Sequence, residues 1–267
     1  MEMEPVLAVY AGFSLDVYGQ EGTSFPPSQM NEVLQEALDE LEYCMGTTDT
    51  RYGALRAQHG HPKPFTIKFI EIGNEDWFSS TYPYRWDIMY NGLKRVYPNI
   101  TYISTTFDEN KNYTMKLPPG TIWDTHHYED PQFFLRNFNF FDNWQRMTNN
   151  TDVGVLLGEF SVFQVDTPKG VPKFWNTPEL HVTYPRLLSA IAEGVYALGG
   201  ERNPKTVMMS SYAPSLQNLN WFNWTPNMIH FTARPGDTVL SASYWQQWMF
   251  ARWRGTQVSL LCLFTFS

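Results

Sequence analysis

Six short runs of apolar or β-branched residues mark the chain, and all but the third give way to a longer segment whose apolar residues recur every three or four positions. This alternation constrains the fold more than any other feature. "PVLAVYAG" (5–12) reads as a buried strand. Met30, Leu34, Ala37, Leu41 and Met45 then mark one face of a helix in "SQMNEVLQEALDELEYCMG", which Gly46 closes. The same pairing recurs in "FTIKFIEIG" (65–73) with "PYRWDIMYNGLKRVYPN". "ITYISTTF" (100–107) and "TIWDTHHY" (121–128) follow as strands, the latter before a predicted helix in "FFLRNFNFFDNWQRMT". "DVGVLLGEFSVF" (152–163) precedes the helix "TYPRLLSAIAEGVYALGGERN", and "TVMMSSYAP" (206–214) precedes "SASYWQQWMFARWRG". Strands that alternate with helices, with no linker between units, imply a parallel sheet wrapped by helices. A doubly wound sheet and a (β/α)8 barrel both satisfy this pattern. No glycine-rich turn follows the first strand, which weighs against a dinucleotide site.

The polar residues separate the two architectures. In a barrel, reactive groups gather at the C-terminal ends of several strands. Here the predicted strands end in Asn74 and Glu75, then Asp124, His126 and Tyr128, then Glu159. Two carboxylates with a His and a Tyr between them suit a retaining glycosidase. One carboxyl must donate a proton to the leaving oxygen while the other attacks the anomeric carbon, at a separation of about 5–5.5 Å. A glutamate at a strand end also serves as a helix cap or an ion-pair partner. Glu71 shares the parity of Glu75 along an ideal strand, so alternation does not choose between them; position at the strand end, after Asn74, favours Glu75. His126, His127 and the "HGH" of 59–61 are open to core, surface or loop placement. A metal site needs three ligands in register, and none is expected, nor is a cofactor.

Composition narrows the partners. The formal net charge is −8, which disfavours nucleic acid, since phosphate binding needs a basic face. No apolar run reaches the roughly 18 residues of a membrane span. Aromatic residues make up 16% of the chain; rings stack on sugar faces, but they also fill barrel cores. Two cysteines, Cys44 and Cys262, make no disulfide framework. Sequons at Asn99, Asn112, Asn149 and Asn223 point to a secreted eukaryotic protein. "MEMEPVLAVYAG" has no basic n-region and is not a signal peptide.

Seven blocks in order, "EPVLAVYAG", "ALRAQHGHPKPF", "IEIGNEDW", "YPNITYIST", "DTHHYEDP", "GVLLGEF" and "ERNPKTVMMSSYAP", resemble the α-L-arabinofuranosidase family of retaining glycosidases, its fungal secreted members above all. The resemblance runs from about residue 4 to 257. It implies a (β/α)8 barrel that removes terminal α-L-arabinofuranosyl groups from arabinan and arabinoxylan. Glu75 would be the acid/base, Asn74 a substrate ligand and Glu159, in Gly158-Glu159, the nucleophile. Tyr128 would contact and orient that nucleophile, and His126 would line the sugar pocket. Trp77 would either line the pocket or pack in the core. If Glu75 closes strand 4, the six units are strands 3 to 8, and strands 1 and 2 are absent. The expectation is therefore an open, partial barrel over 1–257, with edges at 5–12 and 206–214. An aberrant tail follows over 258–267, and the family's β-sandwich domain is missing. A related xylosidase or endoglucanase, and an inactive remnant, stay as alternatives.

Overall fold

The computed structural model describes residues 4–14, 22–105, 115–148, 152–164, 180–220 and 226–253. In chain order the strands are β1 (Val6–Val9), β2 (Phe13–Ser14), β3 (Thr23–Ser24), β4 (Phe69–Ile72), β5 (Thr101–Ser104), β6 (Ile122–Glu129), β7 (Gly154–Val162), β8 (Val207–Tyr212), β9 (Leu216–Asn218), β10 (Ile229–Phe231) and β11 (Val239–Leu240). The helices are α1 (Met30–Met45), α2 (Arg51–Gln58), α3 (Tyr82–Val96), α4 (Pro131–Arg136), α5 (Trp144–Thr148), α6 (Leu187–Arg202) and α7 (Ala242–Arg252).

The main sheet has six strands in the order β1-β4-β5-β6-β7-β8, every neighbouring pair parallel. Strand order follows chain order, and the sheet curls into half a barrel with its described helices on one face. Among the described residues, β1 and β8 have no strand on their outer edges, as the sequence leads one to expect. The larger apolar layer lies between the sheet and its helices and includes Ile70, Ile72, Trp123, Val155, Trp86, Leu93 and Tyr196. On the other face, a smaller layer joins Ile103, Ile122 and Leu156 with Val6, Phe69 and Met209.

The structure departs from the sequence reading in several places, the small sheets β2-β3 and β9-β10-β11 among them. The helix expected over 133–148 is broken into α4, a 3-10 turn at Phe141–Asn143 and α5. Asp130 caps α4 by accepting the Phe133 N–H at 2.8 Å, and Asn137 closes it with its side chain on the Phe133 carbonyl at 2.9 Å. Such side-chain bonds compete with the helical ladder, and Phe140, Phe141 and Trp144 beyond the break are buried. Helix α2 was not anticipated. Thr50 caps it, accepting the Gly53 N–H at 3.2 Å, and the "HGH" stretch forms the turn beyond its end. The first two predicted strands are also shorter than expected, because only Val6–Val9 and Phe69–Ile72 find partners.

Candidate active site

The C-terminal ends of β4, β6 and β7 converge, and each delivers its polar residues by a different local device. Strand β4 stops at Ile72, whose carbonyl accepts the Tyr82 hydroxyl at 2.6 Å. Gly73 then turns with φ +92°, a region closed to most side chains, and a Cβ there would lie 2.0 Å from Asp76 Oδ2. The Asp76 carboxylate takes the Asn74 N–H at 3.0 Å and the Thr105 hydroxyl at 2.8 Å. Arg85 of α3 pairs with Asp76 at 2.6 Å, both side chains buried. On this buried pivot Glu75 adopts a left-handed conformation, φ 52° and ψ 34°, which is uncommon outside glycine and collects at functional sites.

Strand β6 works by alternation. Asp124, His126 and Tyr128 share the face opposite the helices, while His127 turns the other way. His127 joins the core, bonded to the Tyr196 hydroxyl at 2.7 Å and edge-on to Phe133 and Phe140.

Strand β7 works by irregularity. Leu157 pairs with Thr125, but the next pairing is Glu159 with His126, so Gly158 is an extra residue. Val155 and Leu157 before this bulge, and Phe160 and Val162 after it, all lie in the helix-side core. The bulge thus reverses parity and brings Glu159 to the face and level of His126. A regular strand would aim Glu159 at the helices.

A carboxylate oxygen of Glu75, one of Glu159 and a ring nitrogen of His126 all lie within 4.8 Å of one another. His126 Nδ1 is 3.0 Å from Glu75 Oε1 and 3.3 Å from Glu159 Oε2. Its Nε2 is 2.6 Å from Asp124 Oδ2. The Tyr128 hydroxyl donates to Glu159 Oε2. Trp77 stands edge-on to His126, ring centroids 5.0 Å apart, which places it beside the site. Asn74 is exposed at the rim. His126 is 3% exposed, whereas Glu75 and Glu159 keep 25% and 29%, so solvent reaches both carboxylates and not the imidazole.

The electrostatics follow from burial and neighbours. Burial alone would lower the His126 pKa. The charge and hydrogen bond of Asp124, with Glu75 and Glu159, outweigh it and push His126 up to about 11. Burial raises Glu159, against the lowering effects of His126 and the Tyr128 hydrogen bond. Burial, then the Glu159 charge, raises Tyr128 and keeps its phenol protonated. By distance Glu75, His126 and Glu159 could hold a metal ion, and His126 Nδ1 would have to give up its proton to do so.

Two groups at the site escaped assignment from sequence. Asp124 stands out only as a strand-end polar residue, and the signal for it is its spacing two residues before His126. Glu71 is on the same face one layer deeper, beside Asp124; burial, then the Asp124 charge, raises its pKa well above the usual range. Of the sequons, Asn99 is exposed in the turn before β5; Asn112, Asn149 and Asn223 lie outside the described residues.

Residues 1–146 match the family model described as "Alpha-L-arabinofuranosidase 1 domain" and residues 158–261 the one described as "Alpha-L-arabinofuranosidase C-terminal domain". "Alpha-L-arabinofuranosidase A" of Aspergillus niger is 35% identical over 95% of this chain and 37% of its own length. "Probable alpha-L-arabinofuranosidase A" of Aspergillus terreus is 34% identical over 97% and 38%. The chain therefore spans less than two fifths of these relatives. Among solved structures, the arabinose-bound α-L-arabinofuranosidase MgGH51 superposes with a TM-score of 0.80 at 34% identity, over 93% of this chain and 37% of that one. The enzyme of Thermotoga maritima superposes at 0.59 with 19% identity, over 80% and 45%, which speaks for the fold alone. On the strength of the matched domain model, which covers more than half of its residues, the chain belongs to the α-L-arabinofuranosidase family.

Proposed function

We propose that this protein is a retaining α-L-arabinofuranosidase acting on terminal arabinofuranosyl groups of plant cell-wall polysaccharides such as arabinan and arabinoxylan. One observation carries the reading: the carboxylates of Glu75, just beyond β4, and Glu159, within β7, approach within 4.8 Å of each other beside one imidazole, close to the spacing that a double displacement needs. Glu159 is the nucleophile. The imidazolium of His126 and the hydroxyl of Tyr128 stabilise its charged form against burial. Glu75 is the acid/base: it gives a proton to the departing glycosidic oxygen as Glu159 bonds to the anomeric carbon. It then takes a proton from the water that releases the sugar. Asn74 at the rim and His126 and Trp77 at the wall contact the arabinose ring.

The parallel half-barrel, on this reading, is strands 3 to 8 of a (β/α)8 barrel occupying 1–257, with the last ten residues outside it. The protein acts outside the cell, in keeping with its similarity to fungal enzymes and with Asn99 exposed for glycosylation. Its reaction uses no cofactor and needs no nucleic acid or membrane.

The test is a panel of nitrophenyl glycosides with two variants. Wild type should cleave the α-L-arabinofuranoside and leave the xyloside and glucoside. Glu159→Ala should lose turnover on every substrate. Glu75→Ala should still react with the activated aryl arabinofuranoside, accumulate glycosyl-enzyme, and recover turnover with azide to give an azide of retained configuration. On unactivated arabinan its loss should reach about 10²–10⁴-fold. Equal losses on both substrates without azide rescue would remove Glu75 from this role, and preference for the xyloside would point to the related glycosidase instead.

A further inference from the structure

Asp124 is buried, 1% exposed, and touches both halves of the site. Its Oδ2 accepts from His126 Nε2 at 2.6 Å. Its Oδ1 accepts the backbone N–H of Gly158 at 3.0 Å. Gly158 is the extra residue of the β7 bulge, without a register partner on β6. A Cβ at 158 would fall 2.1 Å from Asp124 Oδ1, so the carboxylate fills the space that any side chain there would need.

We infer that Asp124 is a positioning residue: one oxygen orients the ring of His126, and the other pins the bulge that turns Glu159 to the same opening as Glu75. Its kinetic consequences rest on the function proposed above; the contacts themselves do not. Which proton a histidine presents is set by the bond its other nitrogen makes. With Nε2–H committed to Asp124, Nδ1–H is left between Glu75 and Glu159. Behind Asp124, burial and then the negative charge of Asp124 raise the Glu71 pKa. Among the described residues, Tyr128 and Trp77 also stand edge-on to the ring.

Two substitutions separate the two contacts. Asp124→Asn keeps an oxygen for the Gly158 N–H but turns an amide N–H₂ toward Nε2, which must then give up its proton. Asp124→Ala removes both contacts. In the wild-type protein, the ring nitrogens of His126, followed by nitrogen NMR of labelled histidine, should report imidazolium throughout neutral pH. In Asp124→Asn the ring should titrate near the unperturbed value of about 6.5, with the unfolding transition as cooperative as in wild type. On the aryl arabinofuranoside kcat should fall about 10²-fold with little change in KM. Asp124→Ala should lose about tenfold more, because Glu159 is no longer held to the opening. An Asp124→Asn protein with kcat within about twofold of wild type, or with His126 still charged across the same pH range, would overturn the inference. Equal losses in the Asn and Ala variants would overturn its Gly158 half. A wild-type protein inactive on every glycoside would remove the proposed function, and the His126 resonances alone would then decide the role of Asp124.

Discussion

Glu159 sits where burial opposes its charge, and its partners must supply what water does not. The Tyr128 hydroxyl is one such partner, lowering the Glu159 pKa through its hydrogen bond. Tyr128→Phe removes that donor and leaves the ring. The Glu159 pKa should rise, so that on the proposed mechanism a larger fraction of the protein has a protonated, unreactive carboxyl at any acidic pH. The acid limb of kcat/KM is therefore expected to move to higher pH, and titration of the aryl arabinofuranosidase rate shows it. An unmoved limb with an unchanged rate would mean that His126 alone keeps Glu159 ionised. At this scale the sequence is partly legible. Asn74-Glu75 is visible because a carboxylate after a strand end, next to an amide, is a local pattern. The choice between His126 and His127 is not, since two adjacent histidines differ only in which face of β6 each occupies.

Two buried ionisable groups hold elements together. Arg85 of α3 reaches Asp76 at 2.6 Å and the Ala11 carbonyl at 2.8 Å, tying β1 and the loop after β4 to the helix. Arg85→Met would strand the Asp76 carboxylate in the interior, a loss of about 3–5 kcal/mol. Urea unfolding should show it, and adding Asp76→Asn to Arg85→Met should restore part of the loss by removing the unpaired charge. Glu193 of α6 accepts the Val162 N–H of β7 at 2.8 Å and the Ser243 hydroxyl of α7 at 2.5 Å. Burial, only partly offset by these donors, pushes its carboxyl from the ordinary value of 4.5 up to about 7. The folded protein thus holds this proton more tightly than the unfolded chain. The stability that it contributes is complete below about 4.5 and is lost as pH rises through about 7. Glu193→Gln should flatten the dependence of unfolding free energy on pH across that window; an unchanged slope would place the titration elsewhere.

At the scale of the whole molecule, the sheet ends in two strands whose outer edges are unpaired among the described residues. Helix α6 is apolar around its circumference: Ala192 and Tyr196 are buried, while Leu187, Leu188, Ile191 and Leu198 are 71%, 50%, 51% and 54% exposed. A helix apolar on every side belongs inside a larger assembly, and open edges beside such a surface invite association. This polypeptide, expressed by itself, is expected to elute from a sizing column above its 31.1 kDa mass. Leu187→Lys together with Ile191→Lys should shift it toward the monomer. Monomeric elution of the unmodified chain over a range of concentrations would refute this. Among the described residues, β1 and β8 are the outer strands because strand order in the sheet follows chain order.

Local periodicity and chain order are properties of segments about ten residues long, and the sequence alone determines what depends on them. These are the parallel sheet, the helices α1, α3, α6 and α7, and the place of Asn74-Glu75 just beyond a strand. Tertiary structure decides what depends on relations between segments. The Gly158 bulge is defined only against the register of β6, and it turns Glu159 from the helix side to the site. The break of 133–148 lies where Arg202, at the end of α6, donates to the Phe138 carbonyl and to Asp142. Asp124 acquires its place only when a backbone N–H 34 residues away arrives beside it, since a hydrogen bond exists between positions in space and not within a pattern of residues.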